Sequence, residues 1–335
     1  MAKRKETDYI FADSYIGNFT RHLMTRKDLM RIAGSRDLEA AEAMLREFGY
    51  EESKELKAGG IDPFLHREEE KLHEIVFSTV PDPSELAFNL YPSDFHNAKV
   101  CLKAEALGKT PDPAMMSDAG SIPAEKMELL IRERSGSGMP EGLKKAIADA
   151  ADTFGRGHDP QAIDLILDKA CYKQMLDDVT AMEEPFMEEL VRRQIDAVNL
   201  GVFVRFRSMG KPWSAFKDLF ISGGNIPLQL LISCYEEAYS RVGERLAPYG
   251  FQQAFTEGGK ALKETGSFGL FERLRDDAVM DHVRKAKYEP FGIVPIEGFW
   301  FAKHQELSNL RIALMGSQFG FDPDEIEERI REPYV

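Results

Sequence analysis

Cysteine, tryptophan and long apolar runs are all scarce in this chain. Its 335 residues hold three cysteines and two tryptophans. Cys101, Cys171 and Cys234 lie far apart and no CxxC pair exists. An odd count with wide spacing and no secretory signal reads as reduced cytosolic thiols acting as small buried hydrophobes. The longest apolar stretches, Ile226–Cys234 and Phe291–Phe301, are interrupted and fall far short of the ~20 residues that cross a bilayer. The basic start, Met1-Ala2-Lys3-Arg4-Lys5, gives way to Glu6-Thr7-Asp8 rather than to an apolar stretch, so no secretory signal is read. Positive charge is also in short supply: 43 Lys+Arg face 57 Asp+Glu, a formal charge of −14. Nucleic-acid binding needs a basic stripe against phosphates, and electrostatic attachment to anionic lipid needs a basic face. The composition argues against both and favours basic or other protein surfaces as partners.

Catalytic signatures are missing too. There is no GxxxxGK[ST] phosphate loop; Gly258-Gly259-Lys260-Ala261 lacks the leading glycine and the hydroxyl residue. There is no GxSxG and no HExxH. Ser214-Ala215-Phe216-Lys217 matches SxxK by letters alone. The seven histidines are scattered, and His66 and His73 flank a charged run (Arg67 to Lys71) that reads as a solvated helix face. The best candidate is Asp276-Asp277-Ala278-Val279-Met280-Asp281. It has the DDxxxD spacing with which all-helical isoprenoid synthases hold magnesium diphosphate, and turn-spaced carboxylates suit that hard cation. A second acidic motif should face it, but Asp177-Asp178 and Glu183-Glu184 do not supply one, because Pro185 breaks between them and the next helix. Flanking Arg273, Arg275, Arg284 and Lys285 make a salt-linked surface the simpler reading. No catalytic, cofactor-binding or metal-binding residue is assigned.

What the chain has in plenty is helix. Hydrophobic residues at 43% and charged residues at 30% suit packed cores, and the length suits two or three domains. From Asp37 to Phe48, apolar residues recur every three or four positions, and Gly49 follows as a stop. Asp94 to Leu107 ends at Gly108, and Asp159-Pro160 opens a helix through Tyr172. Pro185 opens a stripe of Met187, Val191, Ile195, Val198, Val202, Phe206 and Met209 that ends at Gly210. Trp300 to Phe319 ends at Gly320, and a last acidic helix spans Asp324 to Arg331. Strand-like alternation is almost absent, so the fold is expected to be all-α. Breaks are expected at Ser135–Pro140 and Pro248–Gly250.

Three helices carry one pattern. Asp94 precedes Asn97 by three residues and Gly108 follows eleven later; Asp196, Asn199 and Gly210 repeat this, as do Glu306, Asn309 and Gly320. The asparagines are 102 and 110 residues apart. Gly120-Ser121-Ile122-Pro123 follows the first copy and Gly224-Asn225-Ile226-Pro227 the second. Asp37 and Asp159 open earlier helices, each with a tyrosine thirteen residues on, Tyr50 and Tyr172, and Ser267–Leu274 with Tyr288 is a looser third version. Asparagine is a poor helix-interior residue. Three equivalent ones are read as structural: buried amides satisfying backbone groups nearby, oriented by the acid one turn earlier. The rival reading joins the three pairs into one symmetric ligand site. Domains are expected at residues 1–135, 136–248 and 249–335.

The last forty residues resemble the C subunit (called d in other systems) of V-type and archaeal-type rotary ATPases, the AC39 family. The matching run is Gln305 to Gly316, followed by Pro323–Glu332 and the terminal Arg331-Glu332-Pro333-Tyr334-Val335. Asp94–Ala104 resembles the family's first motif, and Leu23-Met24-Thr25-Arg26-Lys27-Asp28-Leu29 its N-terminal helix turn. The full Asn-Leu-basic signature stands only at Asn309-Leu310-Arg311; the first copy has Ala98 and the second Gly201. The resemblance implies three similar helical domains in a pseudo-threefold funnel. It also implies a rotor subunit on the cytoplasmic face, without nucleotide or cofactor, that joins the central D–F shaft to the membrane proteolipid ring and so links ATP hydrolysis or synthesis to proton or sodium transport. A free-standing helical scaffold and a magnesium-dependent isoprenoid-synthase-like enzyme are the alternatives.

Overall fold

The computed structural model describes residues 5–335, and no strand occurs among them. In chain order the helices are α1 (Ile10–Thr20), α2 (Arg26–Ala33), α3 (Leu38–Leu45), α4 (Lys54–Lys57), α5 (Ile61–Thr79), α6 (Tyr91–Ala106), α7 (Ala124–Arg132), α8 (Glu141–Gly157), α9 (Pro160–Ala181), α10 (Pro185–Ser208), α11 (Trp213–Leu219), α12 (Leu228–Ser233), α13 (Tyr239–Leu246), α14 (Gly259–Thr265), α15 (Gly269–Val283), α16 (Ile293–Phe319) and α17 (Pro323–Arg329). No described helix is long and apolar enough to cross a membrane.

The chain forms two compact units. One is Pro83–Ile232; the other joins the described residues up to Asp82 to Ser233–Val335. The Ser135–Pro140 stretch lies inside the first unit and Pro248–Gly250 inside the second.

In the first unit α9 packs against α6, α8 and α10. Its stripe of Ile163, Leu167, Cys171, Met175 and Val179 is buried throughout, one residue per turn. This register continues past Tyr172, which is why the helix runs to Ala181 and not to the expected stop. Lys99 and Lys103 on α6 meet Asp168 and Asp164 on α9 at 2.7 and 2.6 Å, which sets these helices antiparallel and in register.

In the second unit, the N-terminal helices α2 and α5 pack on the C-terminal helix α16. Leu29, Ile32, Phe64 and Leu65 share a core with Leu307, Leu310, Ala313 and Leu314. α16 starts at Ile293, seven residues before the expected Trp300, because Pro295 is tolerated in a first turn. The last helix is Pro323–Arg329, so Arg331 falls outside it in an extended tail.

Two side-chain expectations change. His73 is not on a solvated face: it stacks on Phe77 at 4.3 Å and meets Trp300 edge-on, and burial lowers its pKa. His66 does face solvent, beside Glu70. The three cysteines are free and buried; burial pushes Cys101 and Cys171 up to about 12, so neither thiol is a nucleophile near neutrality.

Candidate functional site: three backbone clasps

Each of the three signature asparagines sits mid-helix, fully or nearly buried. Each forms a two-way pair with the backbone of one residue farther along the chain. Asn97 Nδ2 donates to the Ser117 carbonyl at 2.7 Å, and its Oδ1 accepts from the Ser117 amide at 2.8 Å. Asn199 does the same with Ile221 at 2.8 and 2.9 Å. Asn309 does it with Arg331, both at 2.9 Å. A side-chain amide carries a donor and an acceptor side by side, so it can imitate a strand partner for one residue. That explains why the sequence keeps a poor helix former at these places.

The acids do not orient the asparagines. Each grips a separate stretch of backbone. Asp94 accepts from the Ile122 amide at 3.0 Å and the Ser121 hydroxyl at 2.6 Å. Asp196 accepts from the amides of Ile226 at 2.9 Å and Asn225 at 3.0 Å. These are the Gly-Ser-Ile-Pro and Gly-Asn-Ile-Pro segments, and the glycines have a steric reason. A Cβ on Gly120 would sit 2.4 Å from Asp94 Oδ1, and one on Gly224 would sit 2.2 Å from Asp196 Oδ1. Burial raises the pKa of both carboxyls, Asp196 to about 6, against the opposing pull of the amide bonds.

Glu306 departs from this plan. The amide it accepts, at 2.6 Å, belongs to Met24, 282 residues earlier in the chain. Tyr50 donates to Glu306 at 2.8 Å and Lys303 at 2.6 Å. Burial, then the adjacent Glu306 carboxylate, drives the Tyr50 phenol well above its ordinary pKa, so it stays a donor. His22 stands two residues before Met24, where the other clasps have glycine two residues before isoleucine. The longer glutamate side chain reaches its amide from farther away, which fits the absence of a glycine there. After Met24, Thr25 caps α2, in a reciprocal pair with Asp28.

The glycines eleven residues after each asparagine have left-handed backbones, φ +65° at Gly108, Gly210 and Gly320. Lys109 donates to the Ala104 carbonyl and Lys211 to the Phe206 carbonyl, the six-to-one bond of a helix C-cap. The signature base has different partners or is missing: Lys99 holds Asp168, Arg311 holds Asp62, and the second copy has Gly201.

The acidic DDxxxD cluster holds the C-terminal tail. Asp277 accepts from the Glu332 amide at 2.8 Å, and Asp276 pairs with Arg331 at 2.7 Å. Arg284 donates to the Pro333 carbonyl and also pairs with Asp281. Arg26 donates to the Ile330 carbonyl at 2.9 Å. These carboxylates therefore anchor backbone and arginine, and no group of three acidic, histidine or cysteine residues among the described ones is arranged to hold a metal ion.

These side chains define a helical protein whose most distinctive residues bind its own backbone. The chain belongs to the ATP synthase (C/AC39) subunit family, whose model matches residues 14–329, and members of this family are a structural rather than a catalytic part of their complex. Among its relatives, the C subunit of the V-type sodium ATPase of Enterococcus hirae is 23% identical over 270 residues, covering 81% of each chain. The C subunit of the A-type ATP synthase of Haloferax volcanii is 29% identical over 170 residues, 49% of this chain and 47% of the relative. The C subunit of the V-type ATP synthase of Thermus thermophilus is 19% identical over 249 residues, 72% of each.

Proposed function

We propose that this protein is the rotor coupling of a V/A-type ATPase: it sits on the cytoplasmic face, receives the D–F shaft, and rests on the membrane proteolipid ring. Torque then passes through it between ATP chemistry and the transport of protons or sodium ions. The observation that carries the reading is family membership over nearly the whole chain, joined to the three matched Asn–backbone clasps. Three similar helical domains, near residues 1–135, 136–248 and 249–335, in a pseudo-threefold funnel, account for the recurrence. The Met24–Glu306 bond supports a variant of this division in which residues from the start of the chain complete the third domain. Asp94, Asn97, Gly108, Asp196, Asn199, Gly210, Glu306, Asn309 and Gly320 are then the residues that keep each domain rigid under load.

A coupling transmits torque through broad contacts, for which ~1,000–2,000 Å² each with complementary charge is enough. The test mixes the purified chain with the D–F shaft and, separately, with the detergent-extracted ring. Stable binding to both is expected, weakening as salt is raised. Failure to bind either one ends the reading.

A further inference from the structure

The chain is acidic as a whole, with a net charge of −14, but one stretch reverses the sign. Between Asp196 and Asp218 there is no acidic residue, while Arg205, Arg207, Lys211 and Lys217 all fall there. No other stretch of this length lacks an acid. The four cations lie within the Pro83–Ile232 unit, on the last turn of α10, the short turn after it and α11.

The local fold makes these residues into a corner. Gly210, with a left-handed backbone at φ +65°, ends α10. Phe216 is fully buried and meets Phe203 edge-on at 5.5 Å, which clamps α11 onto α10. What the clamp leaves outside is of two kinds. Met209 is 60% exposed and Trp213 45%. Arg205 lies one turn before Met209 and Lys217 one turn after Trp213, so each apolar side chain has a cation beside it. Lys211 stands between the two pairs, and all three of these cations are exposed.

Internal stability accounts for only part of this. Cations in the last turn of a helix complement its dipole, which explains Arg205 and Arg207. It does not explain an exposed tryptophan and methionine. Single exposed apolar residues are ordinary; two at one turn, each beside a cation in an acid-free run, form a chemical set. A tryptophan ring has an apolar body and a polar N–H, and lysine and arginine carry a charged head on an apolar stem. That set matches the boundary of a bilayer, where apolar side chains enter below the headgroups and the cations stay with the anionic groups. An acidic protein surface would match the charge, but it would also have to supply a fitted recess for each apolar side chain. A fluid bilayer makes room without one.

We infer that the α10–α11 corner is a lipid-binding site for bilayers that contain anionic lipid, with Met209 and Trp213 inserted and Arg205, Lys211 and Lys217 on the headgroups. The inference does not depend on the rotor reading; it rests on charge and exposure within one unit. So few cations make the attachment weak and reversible, each adding roughly fivefold to the partition.

The two tryptophans of the chain make it measurable. Trp300 is 5% exposed, so added vesicles change the emission of Trp213. The full chain is titrated with vesicles of equal parts phosphatidylserine and phosphatidylcholine, and in parallel with phosphatidylcholine vesicles, polyglutamate and duplex DNA. A blue shift and co-flotation are expected with the phosphatidylserine vesicles alone, both weakening as salt is raised. Trp213→Phe should abolish the shift. Lys211→Glu with Lys217→Glu should weaken flotation at least about tenfold at an unchanged thermal midpoint. Should that pair fail to fold, Met209→Ser with Trp213→Ser decides: lost flotation supports the site and unchanged flotation overturns it. Absence of binding to phosphatidylserine vesicles, equal binding to phosphatidylcholine, an unmoved Trp213 emission, or full binding by the folded charge-reversed variant overturns it as well. A shift with polyglutamate or DNA but not with vesicles makes the corner a polyanion site and ends the lipid assignment. None of these outcomes touches the rotor reading, which stands or falls on shaft and ring binding.

Discussion

The two units solve one problem in opposite ways. In Pro83–Ile232, Asp94 and Asp196 close their clasps on backbone 28 and 30 residues downstream. In the other unit, Glu306 closes on Met24, 282 residues away along the chain. The local clasps need little: a two-carboxylate-oxygen acceptor, a glycine that lets it approach, and a short loop. The distant clasp recruits more. It takes a longer acid, a tyrosine, a lysine and a tail held by Arg26, Asp277 and Arg284. Bringing remote segments together costs more chain entropy than closing a short loop, though the cost grows only slowly with length. The added hydrogen bonds and the shared core of α2, α5 and α16 offset that difference.

The comparison breaks first at Glu306. Glu306→Ala leaves the buried Met24 amide without its acceptor and the half-buried Lys303 with only the Tyr50 hydroxyl. Removing one partner of a buried ion pair typically costs about 3 kcal/mol or more, so urea unfolding should show a loss of that size, with early proteolysis of the N-terminal segment. An unchanged denaturation midpoint would mean that this clasp contributes no stability.

Next in size is Asn199→Leu. It strands both the amide and the carbonyl of Ile221 and should cost about 2–3 kcal/mol. Asn309→Leu should cost a similar amount and in addition free the C-terminal tail, which hydrogen exchange at Arg331 and Glu332 would report. If tail protection survives, the Asn309 clasp is not what fastens it.

Gly224→Ala sharpens the contrast in steric terms. The new Cβ collides with Asp196 Oδ1, and a loss of about 2 kcal/mol is expected. His22→Ala, two residues before Met24 in the other unit, should change the thermal midpoint far less. Equal losses would remove the proposed reason for the glycine.

The smallest effect is electrostatic. Asp196 has a folded pKa of about 6 against about 3.9 unfolded. Its stabilising effect is therefore complete below pH 4 and is lost as pH rises through 6. Between pH 7 and pH 5, wild type should gain about 1 kcal/mol relative to Asp196→Asn. A gain of the opposite sign in paired denaturation curves would show that the two amide bonds, not burial, govern this carboxyl.

How much of this is legible in the sequence depends on distance along the chain. The helices, their glycine stops and the Asp/Asn register are written in local spacing, and local spacing is what a sequence displays. The Gly-x-Ile-Pro echoes are visible too, although their function as amide donors to the acids is not, since nothing in the letters pairs Asp94 with Ile122. Least visible is the third clasp. Tyr50 precedes the first copy in sequence yet serves the last, and Met24 resembles neither Ile122 nor Ile226 in its neighbours except for the helix that follows. The DDxxxD spacing misleads in the other direction, because carboxylates one turn apart suit backbone amides and arginines as well as a cation. His73 escapes for a related reason: a charged run marks a helix face only until an aromatic neighbour from another helix covers it.

The Met24–Glu306 closure also sets an order in time. A ribosome releases the first eighty residues long before α16 exists, so α2 and α5 emerge without the helix that completes their core. Pro83–Ile232 has all its clasp partners within its own span and can complete its fold while synthesis continues. The opening segment must wait until α16 has been made. Stalled nascent chains ending before residue 293 should therefore show a protease-resistant middle and a cleavable beginning.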